Sequence, residues 1–311
     1  MADVKKVATR VAYGDALKEF GDQYDIVVLD ADLSKSTKTD GFKKAYPDRF
    51  VNVGIAEANM MSTAAGIASC GKTVFASSFA IFAAGRAFEQ VRNSICYPNL
   101  NVKIGATHAG ISVGEDGGSH QAIEDISLMR TLPNMTVINP ADSVEARAAV
   151  EAAIQHDGPV YLRFGRLATP VIYDASNYTF ELGKGKQLRG GNDVTIIATG
   201  LMVPEALDAA DALAAEGIQA RVIDIHTIKP IDKEIIIKAA QETPLIVTAE
   251  EHSIIGGLGS AVAEVLCENA PARLVRIGIQ DEFGHSGDPY VLLKEYGLSA
   301  ENIVRQVKQH L

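Results

Sequence analysis

The sequence predicts an α/β protein with two domains, each a mainly parallel β-sheet flanked by helices. Short apolar runs alternate with amphipathic segments of helical spacing along the 311 residues, and strands separated by helices form parallel sheets. This alternation breaks once, between residues 167 and 193. The break divides the chain into two regions, each long enough to bury its own core.

The first region, residues 1–168, shows the strand and helix signals clearly. Apolar runs predict buried strands at residues 25–30, 73–76, 102–106 and 136–138. Apolar residues with helical spacing predict helices at residues 56–70, 81–96 and 143–156. Asp142 precedes the last helix as an N-cap, with Glu145 in its first turn.

Residues 169–190 are predicted to be a linker, because Pro170 and the run Leu182-Gly-Lys-Gly-Lys interrupt the pattern. From residue 191 the alternation resumes. Strands are predicted at residues 194–198, 220–224, 245–248 and 273–277, and an Ala-rich helix at 203–216.

Composition excludes several classes of function. The net charge of -10 argues against nucleic acid or an anionic membrane as the main partner. The three cysteines show neither paired nor metal-type spacing, which predicts reduced thiols in a cytoplasmic protein. No apolar run is long enough to span a bilayer, and the first residues lack the apolar core of a signal peptide.

A Gly-rich, acidic loop at residues 107–121 is the strongest candidate for a site. Four glycines between His108 and His120 let the backbone turn tightly beside a ligand. Imidazoles suit hydroxyl recognition and proton transfer near neutral pH. The two histidines, with Glu115 and Asp116, fit no zinc or EF-hand spacing, so a metal site is not predicted.

Glu57 and a pair of phenylalanines are further candidates. An acid in the first turn of a helix commonly does no more than complement the helix dipole. Glu57, however, is followed by small residues that let another surface pack closely. Phe79 and Phe82 have the spacing of core residues on one helix face, so their pattern alone is a weak signal.

These motifs resemble one enzyme family. Asn52-Val-Gly-Ile-Ala-Glu57 and Val113-Gly-Glu-Asp-Gly-Gly-Ser-His-Gln121 resemble the pyrimidine-binding half of a thiamine-diphosphate enzyme, and within that superfamily a transketolase. His226-Thr-Ile-Lys-Pro-Ile-Asp232 and Glu250-Glu-His-Ser-Ile-Ile-Gly-Gly-Leu-Gly-Ser260 are similar to the C-terminal domain of that family. The resemblance implies a pyrimidine-binding domain at residues 1–168 and a transketolase C-terminal domain at 191–311.

The resemblance assigns cofactor roles. Glu57 would hydrogen-bond the aminopyrimidine ring of thiamine diphosphate and act, with His120, as a catalytic residue. Phe82, or else Phe79, would stack on that ring, and Asp32 would lie near the cofactor or a subunit interface. Gly85 stands where the family has a third aromatic residue, which leaves one wall of the pocket undefined.

Substrate contacts also follow from the resemblance. The residues that would bind a sugar phosphate are Arg10, Ser36, His108, Asp116, His120 and Arg163. Among them, an arginine suits a phosphate because its planar fork donates two parallel hydrogen bonds. Arg166 is the alternative to Arg163, since the two lie in one short run, Arg163-Phe-Gly-Arg166.

The sequence shows no Gly-Asp-Gly followed some thirty residues later by Asn, the family motif for the metal and the diphosphate. The resemblance therefore implies an N-terminal transketolase subunit as partner, in an α2β2 assembly, which would hold the diphosphate and Mg²⁺ (or Ca²⁺ or Mn²⁺). The implied reaction, of the pentose phosphate pathway type, moves a two-carbon ketol group from a ketose phosphate to an aldose phosphate.

Three alternatives stay open. A 1-deoxyxylulose-5-phosphate synthase has Asp-Arg-Ala-Gly where this chain has Thr107-His-Ala-Gly110, and lacks the Gly-Glu-Asp run. The β subunit of a 2-oxoacid dehydrogenase would not need His108 and Arg163 for a sugar phosphate. A regulatory subunit that kept only the fold is the non-enzymatic alternative. The sugar pair, the role of the second domain and the loop Phe283-Gly-His-Ser-Gly287 are not determined by the sequence.

Overall fold

A seven-stranded sheet and a five-stranded sheet form the centres of two α/β domains in the computed structural model, which describes residues 5–311. The predicted fold class is confirmed. The strands, in chain order, are β1 Lys6–Ala8, β2 Ile26–Asp30, β3 Phe50–Asn52, β4 Thr73–Phe79, β5 Val102–Thr107, β6 Thr136–Ile138, β7 Val160–Arg163, β8 Ala168–Pro170, β9 Lys186–Arg189, β10 Val194–Ala198, β11 Ala220–Asp224, β12 Thr227–Lys229, β13 Leu245–Ser253 and β14 Arg273–Ile279.

The helices cover the faces of the sheets, as crossover connections between parallel strands require. In chain order they are α1 Thr9–Phe20, α2 Ser34–Thr37, α3 Asp40–Ala45, α4 Glu57–Ser69, α5 Phe88–Gln90, α6 Asp125–Arg130, α7 Ser143–Gln155, α8 Met202–Ala215, α9 Lys233–Glu242, α10 Leu258–Asn269, α11 Pro289–Glu295 and α12 Ala300–His310. Asp142 caps α7 as expected, accepting the backbone N–H groups of Val144 and Glu145.

The larger sheet has the order β12-β6-β7-β5-β4-β2-β3, and its strands are parallel except for β12. The smaller sheet has the order β14-β13-β10-β11-β9, with β9 as its antiparallel edge strand. Strand β12 belongs by sequence to the second region but pairs with β6 of the first. The two halves of the chain are therefore joined by a shared sheet edge.

Four hydrophobic clusters cover both faces of both sheets. On β2, Val28 packs into the cluster of α1 and α7, and its neighbour Leu29 packs into the cluster of α4. On β10, Ile196 and Ile197 divide in the same way between the two faces of the smaller sheet. Successive side chains of a strand point to opposite faces, so a strand covered on both sides must be apolar throughout.

One predicted helix differs in the structure. Residues 81–96 form two π-helical turns, Ile81–Arg86 and Val91–Cys96, on either side of the short helix α5. A π-helical turn accommodates one extra residue, and such turns often occur at functional sites. The first of them carries Phe82 and Arg86 to the edge of a cleft described below.

Two buried carboxyl groups meet between the halves of the chain. Glu145 of α7 and Asp224 at the end of β11 are both fully buried and lie within hydrogen-bonding reach of each other. Tyr173 donates to Asp224 over 2.7 Å, and Tyr178 donates to Glu145 over 2.5 Å. Burial raises the pKa of Asp224 to about 7 and also raises the pKa of Glu145. Neighbouring buried carboxylates cannot both ionise cheaply, so the pair shares a proton.

The stability of the protein is therefore expected to fall as the pH rises from about 4 to about 7. In the unfolded chain these carboxyls ionise near pH 4, whereas the folded pair keeps its proton until the pH approaches about 7. The folded state binds more protons in this window, so raising the pH favours unfolding. Asp224→Asn should reduce the fall by on the order of 2 kcal/mol, because an amide donates to Glu145 without a shared proton.

Urea unfolding at several pH values measures this effect. Asp208→Asn, which removes an exposed carboxyl of α8, is the matched control and should keep the wild-type slope. An equally steep decline in Asp224→Asn would show that the pair does not share a proton.

Candidate active site at the carboxyl ends of the larger sheet

The candidate residues lie in loops that follow parallel strands of the larger sheet. Asp32 follows β2, Glu57 follows β3, Phe82 follows β4, His108 follows β5 and Arg166 follows β7. Because the carboxyl ends of parallel strands meet at one edge, these five positions share one side of the domain. Open α/β sheets bind their ligands at this edge.

An open cleft of about 390 Å³ lies at this edge. Its walls contain Ala31, Asp32, Leu33, Ile55, Glu57, Phe82, Arg86, Ser119 and His120. The structure thus brings together four of the predicted residues, Asp32, Glu57, Phe82 and His120.

Glu57 and Phe82 together bind a flat cation. Glu57 is only 2% exposed although it lies in the first turn of α4. Arg86 donates from Nη1 to Oε2 of Glu57 over 2.8 Å, and its guanidinium lies 4.3 Å from the centre of the Phe82 ring. A planar, nitrogen-rich group therefore lies over Phe82 while its N–H points at Glu57. The two side chains form a ring-binding surface that suits a flat heterocycle with an N–H donor.

A series of aromatic rings in contact with one another extends from this ring-binding surface. His120 meets Phe82 edge-on at 5.3 Å between ring centres, and Phe79 stacks behind Phe82 at 6.0 Å. His108 then stacks on Phe79 at 3.8 Å. Phe82 lines the cleft, whereas Phe79 is covered on both sides, so the geometry favours Phe82 for contact with a ligand.

A cationic cluster of Arg10, Ser36, His108 and Arg166 lies beyond Phe79. Arg10 donates from Nη1 to the backbone oxygen of Ser36 over 2.8 Å and to Nε2 of His108 over 3.2 Å. Burial, followed by the nearby charge of Arg166, lowers the pKa of Arg10. Nε of Arg10 is buried without a hydrogen-bond partner among residues 5–311. The two positive charges act on each other, which favours an anion bound near both.

His108 is neutral in this cluster. Burial first, and then the charges of Arg10 and Arg166, lower its pKa to about 3. Because Arg10 donates to Nε2, the ring proton is assigned to Nδ1, which donates to Oγ1 of Thr107 over 2.9 Å. The residue has a φ of +57°. A left-handed backbone at a residue other than glycine is strained, and such strain clusters at functional sites.

Arg163 does not belong to the cluster. It is buried in a two-pronged ion pair with Asp125, with bonds of 2.8 and 3.1 Å, and it also donates to the backbone oxygens of Ala122 and Glu251. Nε and Nη2 are thus bonded inside the protein, and the predicted role of Arg163 as a phosphate ligand stays a prediction. Arg166, the alternative, is about one-third exposed and bonds Glu115 over 2.9 Å.

The remaining predicted residues have different surroundings. Asp32, with a φ of +64°, is held by Asn52, which accepts its backbone N–H over 3.1 Å and donates to its carboxylate over 2.9 Å. Ser36 takes part in the cluster through its backbone oxygen. Asp116 is exposed on the Gly-rich loop, outside the cleft lining.

Two residues of the site escaped the sequence analysis. Asp30 is buried and accepts from the backbone N–H of Leu33 and the hydroxyls of Thr37 and Thr39, over 2.6 to 2.9 Å. It thereby fixes the loop that carries Asp32 and Ser36. The sequence pattern that could have identified Asp30 is an acidic residue at the end of a strand, followed by Ser and Thr. The second missed residue is Arg86. No sequence pattern indicated its role, because its contact with Glu57 depends on the π-helical turn.

Metal-binding clusters and membrane-spanning helices are both absent from the described part of the chain. Within residues 5–311, no three His, Cys, Asp or Glu side chains are grouped so that they could hold a metal ion. No helix in this range is long and apolar enough to cross a membrane.

Comparison with known proteins identifies relatives of both domains. Residues 5–171 match the family profile "Transketolase, pyrimidine binding domain", and residues 183–303 match "Transketolase, C-terminal domain". A putative transketolase C-terminal section from Methanocaldococcus jannaschii is 53% identical over 97% of this chain and 96% of its own length. The 6-deoxy-6-sulfo-D-fructose transketolase subunit of Clostridium sp. is 47% identical over 95% of this chain and 92% of its own length.

Solved structures agree. The structure described as "Split gene transketolase, inactive beta4 tetramer" has a TM-score of 0.91 and 56% identity, covering 97% of this chain and 98% of that one. The transketolases of rat, mouse and human match 97% of this chain over only 49% of their own length. This chain therefore corresponds to one half of the mammalian proteins and to nearly all of the proteins named as sections or subunits.

Proposed function

Since this chain belongs to the transketolase family, we propose that it supplies the pyrimidine-binding half of a thiamine-diphosphate site shared with a partner subunit. Together they would move a two-carbon ketol group from a ketose phosphate to an aldose phosphate. The observation that carries this proposal is the buried carboxylate of Glu57 beside the ring of Phe82 in an open cleft.

The residues present fit the ring of the cofactor. The guanidinium of Arg86 already takes the kind of position that a flat, N–H-bearing ring needs, over Phe82 and bonded to Glu57. Arg86 is half exposed, so its side chain can leave that ring face. Thiamine diphosphate, when bound, supplies the nucleophilic carbon of the reaction. Glu57 would hold a proton at the aminopyrimidine ring, and Phe82 would fix the plane of that ring.

The substrate is proposed to lie between the cleft and the cationic cluster. Arg10 and Arg166 would bind its terminal phosphate, since the planar fork of an arginine donates two parallel hydrogen bonds. His108 is neutral and bonded to Arg10 through Nε2, so it would position that arginine for the phosphate without adding charge. His120, edge-on to Phe82, is placed to contact the carbonyl and hydroxyl groups nearer the cofactor.

Replacing Arg166 by Ala is expected to raise KM for phosphorylated sugars by about 10- to 100-fold in the assembled enzyme. Losing one charge-assisted contact costs roughly 1.5–3 kcal/mol. Sugars without a phosphate should be little affected. Steady-state kinetics with matched phosphorylated and unphosphorylated acceptors measure the difference.

Arg189→Ala, which removes a surface arginine of the other domain paired with Asp211, is the control and should leave both KM values unchanged. Arg163→Ala should lower folding stability instead, because it leaves Asp125 buried without its partner. An equal rise of KM for both kinds of sugar in Arg166→Ala would mean that this residue shapes the loop and does not read the phosphate. A sulfonated sugar belongs in the same series, given the name of the Clostridium relative.

A partner subunit completes the proposal. Relatives that match this chain over more than nine-tenths of their length are named a C-terminal section and a subunit. We propose an N-terminal subunit that holds the diphosphate and Mg²⁺, in an α2β2 assembly. Ile55 is 79% exposed beside Glu57, in the wall of the cleft. A cytoplasmic location stays a prediction.

A further inference from the structure

We propose that the smaller-sheet domain acts as a clamp that positions the Gly-rich substrate loop, residues 107–121, and that Glu251 is its central positioning residue. The proposal rests on the proposed function, because it concerns the loop that carries His108 and His120. It gives a role to the second domain and to the segment at residues 283–287, neither of which the sequence explained.

The side chain of Glu251, on β13 of the smaller sheet, contacts the start of the Gly-rich loop. Its side chain is buried, and Oε1 accepts the backbone N–H of Ser112 over 2.7 Å. Gly110 makes room for this contact, since a Cβ atom there would lie 2.2 Å from the carboxyl carbon of Glu251. The φ of Gly110 is +81°. The loop backbone is thus shaped around a carboxylate of the other domain.

Residues 283–287 hold the far side of the loop. Gln121 donates to the backbone oxygens of both Ile111 and His285, over 3.1 and 3.0 Å, and so ties the loop to this segment. The hydroxyl of Ser286 donates to the backbone oxygen of Glu115. A Cβ atom at Gly118 would lie 2.6 Å from the backbone oxygen of Gly284. Glycines on both segments therefore allow two backbones to pack directly against each other.

The clamp also connects to the cationic cluster. Arg166 donates to the backbone oxygen of Val113, in the 3-10 turn Ile111–Val113 that Glu251 holds. Arg163 donates to the backbone oxygen of Glu251 and to Asp125, which fixes the strand end that carries Glu251. One continuous set of hydrogen bonds thus runs from the second domain to the proposed phosphate site. Glu57, in α4, and Phe82, in the π-helical turn Ile81–Arg86, are outside this set.

The test compares Glu251→Ala with Glu251→Gln in the assembled enzyme. Gln keeps an oxygen that accepts from Ser112, whereas Ala removes it. Glu251→Ala should lower kcat/KM for ketol transfer by about tenfold or more, since small displacements of positioning groups have large kinetic effects. Glu251→Gln should restore most of that loss. The cofactor Kd, measured by calorimetry, should stay the same in both variants.

Amide hydrogen exchange gives a readout that does not depend on activity. Glu251→Ala should speed exchange in residues 110–115 and leave residues 57–69 unchanged. Glu268→Ala, which removes an exposed carboxyl of the same domain, is the control and should change neither kinetics nor exchange. Wild-type kcat/KM together with wild-type exchange in Glu251→Ala would overturn the proposal.

Should Glu251→Ala fail to fold, Ser286→Ala decides, because it removes only the donor to Glu115 from an exposed position. Faster loop exchange with a lower kcat/KM in this variant supports the clamp, and wild-type values for both overturn it. If the wild-type assembly transfers no ketol group at all, the proposed function fails. In that case, amide hydrogen exchange still tests whether the contact of Glu251 with Ser112 holds the loop in place.

Discussion

Glu57→Gln is expected to slow exchange of the thiazolium C2 proton of bound cofactor by about 10²-fold or more while leaving the fold and assembly intact. The two side chains are nearly isosteric, and the amide oxygen of Gln can still accept from Arg86, as Glu57 does over 2.8 Å. An amide, however, cannot share a proton with the aminopyrimidine ring. Exchange in deuterated buffer, followed by acid quench and NMR, measures this effect without the correct sugar.

Two further variants sharpen this prediction. Glu57→Asp should also lose most of the exchange rate, because a side chain shorter by one methylene no longer reaches the ring. Glu89→Gln removes an exposed acid of the neighbouring α5 and should exchange like the wild type. Wild-type exchange in a correctly assembled Glu57→Gln enzyme would remove Glu57 from the mechanism.

Ketol transfer is expected to be absent from this chain alone and to appear when a subunit with the diphosphate and metal half is added. The structure has a ring-binding surface at Glu57 and Phe82 and a cationic cluster that suits an anion. Ile55, beside the ring-binding surface, is 79% exposed. The mixture should therefore transfer the ketol group, whereas each chain alone should stay at the background of the assay. A coupled assay for the aldose product measures it.

The Glu57→Gln chain is the control for this reconstitution. It should assemble with the partner, since Glu57 is buried and its replacement keeps the shape of α4, yet it should not restore transfer. Full transfer by the wild-type chain in the absence of any partner would contradict the proposed division of the site.

The fold was predictable because its strands are buried on both faces. A run such as Val194-Thr-Ile-Ile-Ala198 is apolar throughout, and the structure places it at the centre of the smaller sheet. Strand β12 was not predictable. Three residues, Thr227–Lys229, carry no strand signal, and their partner β6 lies far upstream in the chain. The π-helical turn at Ile81–Arg86 was missed because apolar spacing over a few residues does not separate it from an α-helix.

The candidate site was predictable where a residue directly follows a strand of the larger sheet. Glu57 and Phe82 are of this kind, and the structure places both in one cleft. The choice between Arg163 and Arg166 was beyond the sequence, because both lie at the end of β7. Asp125, 38 residues upstream, pairs with Arg163 inside the protein, and for that reason we propose Arg166 as the phosphate ligand. The contact of Glu251 with Ser112 joins residues that are 139 positions apart. No local sequence pattern predicts such a contact.

Calorimetric titration of thiamine diphosphate with Mg²⁺ tests the central claim most directly, that this chain holds only the pyrimidine half of the cofactor site. The titration is run on this chain, on the partner subunit and on their mixture. We expect weak binding to this chain alone and tight binding, one cofactor for each pair of chains, to the mixture. Tight stoichiometric binding by this chain alone would contradict the claim.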